Sequence, residues 1–320
     1  MKKDISKKKL EEYNDVYADI FNALLFGGAR SVEEDYLVPL PTESYIRNPD
    51  GSLRQGSRDI RKADRRSGRY RLICGEENQE NRENTMPQRI MGYDYAAYEE
   101  QIKSLMDRNK AAGKPAITNR IHDDQRLAPV ITAVLYWGEE EWSRPLRLYD
   151  MLEFPPDIEE QIRPYVADYP LNLIQMARLP LEARERLTSD FRLLAEYAAL
   201  KNNPEGLKQY MENQKQVIRH PEEFLDVLST VSGDRRYRSI QKQIVERAEK
   251  EDVTMCVLID EWENKGIQIG LEKGIRAGAQ SKAKTIARNM FLRNMTPEDT
   301  AAICEESLEQ VLSWFAEWRR

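Results

Sequence analysis

The chain predicts an α/β fold: one mixed sheet flanked by helices, followed by a largely α-helical C-terminal region. Three observations predict it. Residues 57–79 carry two short extended stretches around a glycine turn. Residues 129–137 form a nearly continuous apolar run, with the length of a strand buried on both faces. Helical spacing brackets these strands and dominates from residue 150 to about residue 250.

The elements follow in order. Residues 10–26 predict a first helix, because Tyr13, Val16, Ile20, Phe21, Leu24 and Leu25 recur at three- and four-residue spacing; Gly27-Gly28 ends it. Residues 29–56 contain Pro39, Pro41, Pro49 and Asp50-Gly51, so loops and short extended pieces are expected. Residues 57–63 and 70–79 then pair across Ser67-Gly68. On the second strand, alternation puts Ile73, Gly75, Glu77 and Gln79 on one face, and Leu72, Cys74 and Glu76 on the other. Residues 85–109 predict a long helix, with Thr85 as N-cap and Pro87 in the first turn. Its tyrosines, Tyr93, Tyr95 and Tyr98, read as packing residues, as do all the tryptophans. Gly138 ends the strand that follows. Helices are then expected around residues 158–165, 187–201 and 222–231, punctuated by Pro155-Pro156, Pro170, Pro180 and Pro221.

The tail has its own pattern. Gly266, Gly270, Gly274 and Gly278 fall every four residues, with Ile267, Leu271 and Ile275 beside them, so on a helix they form adjacent stripes. Each glycine costs a helix about 1 kcal/mol relative to alanine. A partner helix and a flexible linker both fit the pattern. Residues 281–293 and two helix starts, at Thr296-Pro297-Glu298-Asp299 and Ser307-Leu308-Glu309, then give a helix-turn-helix outline. Glu305, Glu306, Glu309 and Glu317 outweigh Arg319 and Arg320 there, which favours an assembly module over DNA reading. The expected domains are therefore 1–150, an α/β domain; 151–255, a helical region; and 256–320, the glycine-periodic helix and small helical tail, through which the chain would form a homo-oligomer.

Composition narrows the chemistry. Of the 320 residues 32% are charged, and the formal net charge is −6. No apolar run is long enough to span a membrane, and no apolar signal core follows the first residues, so a cytoplasmic location with no membrane partner is expected. Cys74, Cys256 and Cys304 suggest neither a disulfide framework nor a zinc knuckle. His122 and His220 stand apart, which disfavours a histidine zinc site, a triad and a thiol–histidine pair. Carboxylate chemistry remains. Asp59 and Glu77 sit on neighbouring strands, a minimal cage for a hard divalent metal such as Mg²⁺ or Mn²⁺. Between residues 54 and 71 there are eight basic residues against two acidic ones. A run of this kind is more often a solvated hairpin tip, but the acid inside it favours a phosphate-attracting rim in which Arg58, Arg65 and Arg66 contact DNA. Arg89, one turn into the long helix, fits a phosphate contact and an ion pair equally well.

Asp19-Ile20-Phe21-Asn22, Arg58-Asp59, Gly75-Glu76-Glu77-Asn78-Gln79 and Met86-Pro87-Gln88-Arg89 resemble the YhgA-like family of bacterial recombination-promoting nucleases and putative transposases, within the PD-(D/E)XK nuclease superfamily. Asp150-Met151-Leu152, the segment from Tyr169 to Ile174 and the glycine-periodic tail extend the likeness over most of the chain. The resemblance implies a restriction-endonuclease-like core and Mg²⁺-dependent cleavage of duplex DNA. Carried over by position, Asp59 and Glu77 would be the metal ligands, Gln79 would stand in the place of the superfamily lysine, and Asp19 would match an acid that assists the site. Two departures bear on activity. Glutamine neither carries a proton nor adds positive charge, so Lys62 or Arg61 on the neighbouring strand would have to supply the missing cation. Glu76 stands where relatives tend to carry an apolar residue. The sequence is thus compatible with a metal-dependent endonuclease, with a catalytically impaired DNA-binding relative, and with a non-enzymatic assembly protein.

Overall fold

The computed structural model describes residues 2–47, 53–114 and 120–318; the turn expected at Pro49 to Gly51, and Arg319-Arg320, lie outside them. The chain divides into two compact units, Met1–Cys256 and Val257–Arg320.

The first unit is built on a five-stranded mixed sheet in the order β1-β4-β5-β6-β7. These are β1 (Leu37–Pro39), β4 (Ile60–Arg66), β5 (Arg69–Gln79), β6 (Val130–Tyr136) and β7 (Asn172–Gln175), while β2 (Glu43–Arg47) and β3 (Leu53–Ser57) pair with each other as a separate ribbon. The expected α/β class is what forms. β4 and β5 are antiparallel, in register from Ile60–Glu76 to Arg66–Arg69, and the turn between them places Ser67 at φ 49° and Gly68 at φ 77°. Two left-handed residues make the tight turn whose twist matches paired strands. β6 runs parallel to β5 and to β7, and its residues are buried as the apolar run predicts. β7 is a strand inside the segment expected to be helical. Its four residues, Asn-Leu-Ile-Gln, are too short for periodicity to reveal.

The first helix is two. α1 (Lys2–Glu11) ends and α2 (Asn14–Ile20) begins across an extended Tyr13. Lys62, buried on β4, holds that break: its ammonium donates to the Glu12 carbonyl and, at 2.8 Å, to Asn14 Oδ1. A π-turn over Phe21–Leu25 carries the chain to Gly27 and Gly28, at φ 62° and 92°. α3 (Met86–Ala111) covers the opposite face of the sheet, where Met86 and Ile90 pack with Val134, Tyr136 and Trp142. The helices that complete the unit are α4 (Glu159–Ile162), α5 (Leu181–Arg186), α6 (Phe191–Leu200), α7 (Pro204–Asn213), α8 (Pro221–Ser232) and α9 (Arg236–Ala248).

The second unit comprises most of α10 (Met255–Leu292), with α11 (Pro297–Cys304) and α12 (Leu308–Trp318). Thr296 caps α11 by accepting from the Asp299 amide at 3.1 Å. Ala283, Ala287, Ala301, Val311, Trp314 and Phe315 form its core.

Candidate active site

The sequence motif lands where β5 ends. Six consecutive residues, Ile73 to Asn78, are buried, so alternation sends side chains into two different interiors. Glu77 and Gln79 point to the α3 face and Glu76 and Asn78 to the α1 face, as the strand period requires.

On the α3 face Arg89 gathers three acceptors. Its guanidinium donates to Glu77 Oε1, to Gln79 Oε1 at 3.2 Å and to Glu83 Oε2 at 3.2 Å. The ion-pair reading of Arg89 is therefore the one realised, and its partner is the candidate ligand itself. Gln79 is fully engaged, since its amide also donates to the Asn81 carbonyl at 2.7 Å. Deeper on this face, Arg58 is 1% exposed and pairs with Asp94 at 2.8 Å. Asp94 accepts from Thr132 Oγ1 at 2.6 Å and from the Tyr169 hydroxyl as well. The arginine crosses the strand over Gly75, where an added Cβ would come within 2.5 Å of its guanidinium. Instead of the phosphate contact expected from sequence, Arg58 is a core residue.

Asp59 lies at the mouth of the β4–β5 ladder. The last paired residues are Ile60 and Glu76, so Asp59 is next in register opposite Glu77. Its carboxylate accepts the Asn78 amide at 2.6 Å and pairs with Lys8 of α1 at 2.6 Å. The Tyr93 hydroxyl reports on both acids: burial first, then the charges of Glu77 and Asp59, push its pKa up against the pull of Arg89. Two carboxylates thus act on one phenol that the sequence marks only as packing.

The α1 face holds a different arrangement. Glu11 accepts from Asn78 Nδ2 at 2.6 Å, and Asn78 Oδ1 accepts from Trp137 Nε1 at 2.5 Å. Glu76, wholly buried, meets Glu11. Burial raises Glu11 to about 7 and Glu76 well above the carboxylate range, and the hydrogen bond between them favours the proton on Glu76. Two ionised carboxylates could not share such a bond; with one proton they can.

The remaining residues singled out by sequence lie apart from this mouth. Lys62 faces α1 and Tyr17, and burial lowers its pKa to about 8. Arg61 shares the face of Glu77 but is held by Glu100 at 2.6 Å. Asp19 accepts from the Thr188 and Ser189 amides, both at 2.8 Å, and so fastens the entry to α6 instead of assisting Asp59. Arg65 and Arg66 sit at the hairpin tip, six or seven residues along an extended strand from Asp59, or roughly 20 Å at 3.3 Å per residue. Arg66 is committed to Asp64 and Glu33, each at 3.0 Å. The basic segment is contiguous in sequence but not in space, because a strand carries its two ends apart. Lys8 and Glu11 carry no sequence signal, since they precede the motif by many residues on a separate helix.

Asp59 and Glu77 offer the hard oxygen donors that Mg²⁺ or Mn²⁺ prefers. Among the described residues, however, no group of three or more His, Cys, Asp or Glu side chains is arranged to hold a metal ion. Each of the two acids is closed by a basic partner, Lys8 or Arg89.

A family model described as "Putative transposase, YhgA-like" matches residues 40–201, which takes in Asp59, Glu77, Gln79 and Arg89 but not α1 or α2. Searches of curated proteins and of solved structures gave no match. The match covers half the chain, from β2 to just past α6, so this chain belongs to the YhgA-like putative transposase family.

Proposed function

We propose that the chain is a metal-dependent DNA endonuclease acting in recombination or on mobile elements, with Asp59 and Glu77 as the ligands for Mg²⁺ or Mn²⁺. One observation carries this reading: Asp59 stands opposite Glu77 where the ladder opens, and both charges bear on the Tyr93 hydroxyl. A bound Mg²⁺ would lower the pKa of its water and offset charge building on a phosphodiester. The protein's own groups do the rest. Arg89 orients Glu77. The Asn78 amide fixes one Asp59 oxygen and leaves the other to an exchangeable cation, for which Lys8 stands in. Lys8 also brings the positive charge that Gln79 lacks.

Plasmid nicking by purified protein with Mg²⁺ or Mn²⁺ tests the proposal. Asp59→Ala and Glu77→Ala should each abolish nicking, with circular dichroism unchanged, and EDTA should abolish it in the wild type. Undiminished nicking in both variants would sink the assignment. The ion pairs closing both acids, and an amide in place of lysine, favour a second reading, DNA binding without cleavage. Salt-sensitive binding with no nicking under any divalent metal would select it.

The tail supports assembly. Ile267, Leu271 and Ile275 are 63–68% exposed on α10, beside the glycines, and a helix carrying four glycines gains little on its own. Pairing with a second copy through this stripe predicts that deleting the chain from Gly266 onward lowers the mass measured by light scattering. An unchanged oligomeric state would remove the idea.

A further inference from the structure

A cluster of unpaired positive charge lies at the far end of the sheet. A cavity of about 470 Å³ opens there, where the start of β5, the end of α3 and the loop before β6 meet. Arg69, Arg71, Arg108, Lys114 and Arg126 line it, and Asp124 is the only acid in its lining. All five cations are exposed. Arg71 reaches Asp64 at 3.8 Å. Arg108 and Arg126 donate to backbone carbonyls, and among the described residues Arg69, Arg108, Lys114 and Arg126 pair with no carboxylate. Arg58, Arg61 and Arg66, by contrast, are each paired with a carboxylate. Tyr70, 40% exposed, adds an aromatic ring to the same lining.

Unneutralised cations around a concavity raise the local potential and concentrate anions. Four of the five are arginines, whose planar fork suits phosphate oxygens, and an exposed ring suits a base or sugar. We infer that this cavity is a second DNA-backbone site, separate from the Asp59–Glu77 mouth and roughly 20–25 Å from it, the six to eight residues of β5 between them at 3.3 Å per residue. The choice of DNA among polyanions rests on the nuclease reading; the charge cluster does not. The site would hold the substrate at a distance from the cut and would set affinity without touching the chemistry.

The test uses the full-length protein and a labelled 30-bp duplex, in EDTA, with binding followed by anisotropy between 50 and 200 mM KCl. Arg69→Gln/Arg108→Gln/Arg126→Gln removes three phosphate contacts, which should lower the salt slope by about 2.7. Over that range the wild type should therefore lose on the order of 40-fold more affinity than the variant. Nicking at saturating DNA should be unchanged. Arg69→Gln/Arg108→Gln, a milder change, should lower the slope by about 1.8 and guards against misfolding of the triple variant. Equal slopes in wild type and variants overturn the inference, as does absence of duplex binding at 50 mM salt. Binding of phosphatidylserine vesicles, but not duplex, through these arginines also overturns it, in favour of a membrane surface. The two proposals fail separately. Groove-dependent binding without nicking removes the nuclease and keeps the groove, whereas nicking with an unaltered slope does the reverse.

Discussion

Glu76 and Glu77 are chemically alike, adjacent in sequence and both buried, yet the two faces of β5 treat them oppositely. On the α3 face a guanidinium neutralises Glu77, and Arg89 remains 29% exposed at its outer end. On the α1 face burial favours the protonated form of Glu76, which meets the equally buried Glu11. A carboxylate paired with a cation can exchange one positive partner for another. A proton makes it a neutral hydrogen-bonding group. The strand thus separates a face where an acid is paired with a cation from a face where two acids meet each other, and only the neighbours, not the residue type, tell them apart.

The largest effect that would break this comparison is at the root of the α3 face. Arg58→Ala leaves Asp94 charged and buried with only two hydroxyl donors, and opens the space over Gly75. Removing one partner of a buried pair costs about 3–5 kcal/mol. A loss of that size in urea unfolding is expected. A loss under about 1 kcal/mol would show that Arg58 is not the keystone of this face, as only exposed pairs are so cheap.

The α1 face is probed by pH. Glu11 has a folded pKa of about 7 against an ordinary 4.5, so the folded state holds its proton more tightly than the unfolded chain. Stability from this group is complete below about pH 4.5 and falls as pH rises toward 7. Glu76, Asn78, Lys7 and Asp59 surround it and set that window. Lys62, lowered to about 8 from 10.5, acts in the opposite sense and above this window: its burial costs stability below pH 8, and the cost fades toward 10.5. Glu11→Gln cannot ionise, so its Tm should fall less between pH 5 and 7 than that of the wild type. Parallel Tm profiles would mean that no proton is shared there.

How much of this was legible follows from the range of each signal. The β4–β5 hairpin and β6 were readable because a glycine turn and a continuous apolar run are local. The strand period alone separated Glu76 from Glu77. The break between α1 and α2 was not, because Lys62 imposes it from a strand far along the chain. Arg58 looked like a rim residue because sequence gives no hint that Gly75 clears a path for it to Asp94. The partners of Asp19, Thr188 and Ser189, likewise lie beyond any local pattern. What the residues touch across the sheet decides roles that spacing leaves open.

Arg89→Ala sharpens the comparison with the smallest expected effect. Its bonds to Glu77, Gln79 and Glu83 are charge-assisted, but the side chain is partly solvated and water can take over much of the contact. A stability loss of about 1 kcal/mol is expected, well below that of Arg58. Function should respond more than stability. Without the guanidinium, Glu77 and Gln79 lose the donor that fixes their oxygens, so nicking by the variant should fall about 10- to 100-fold, while duplex binding in EDTA is unchanged. Undiminished nicking would show that Arg89 does not position Glu77 for the chemistry, and the contrast between the two faces of β5 would then be one of access, not of charge.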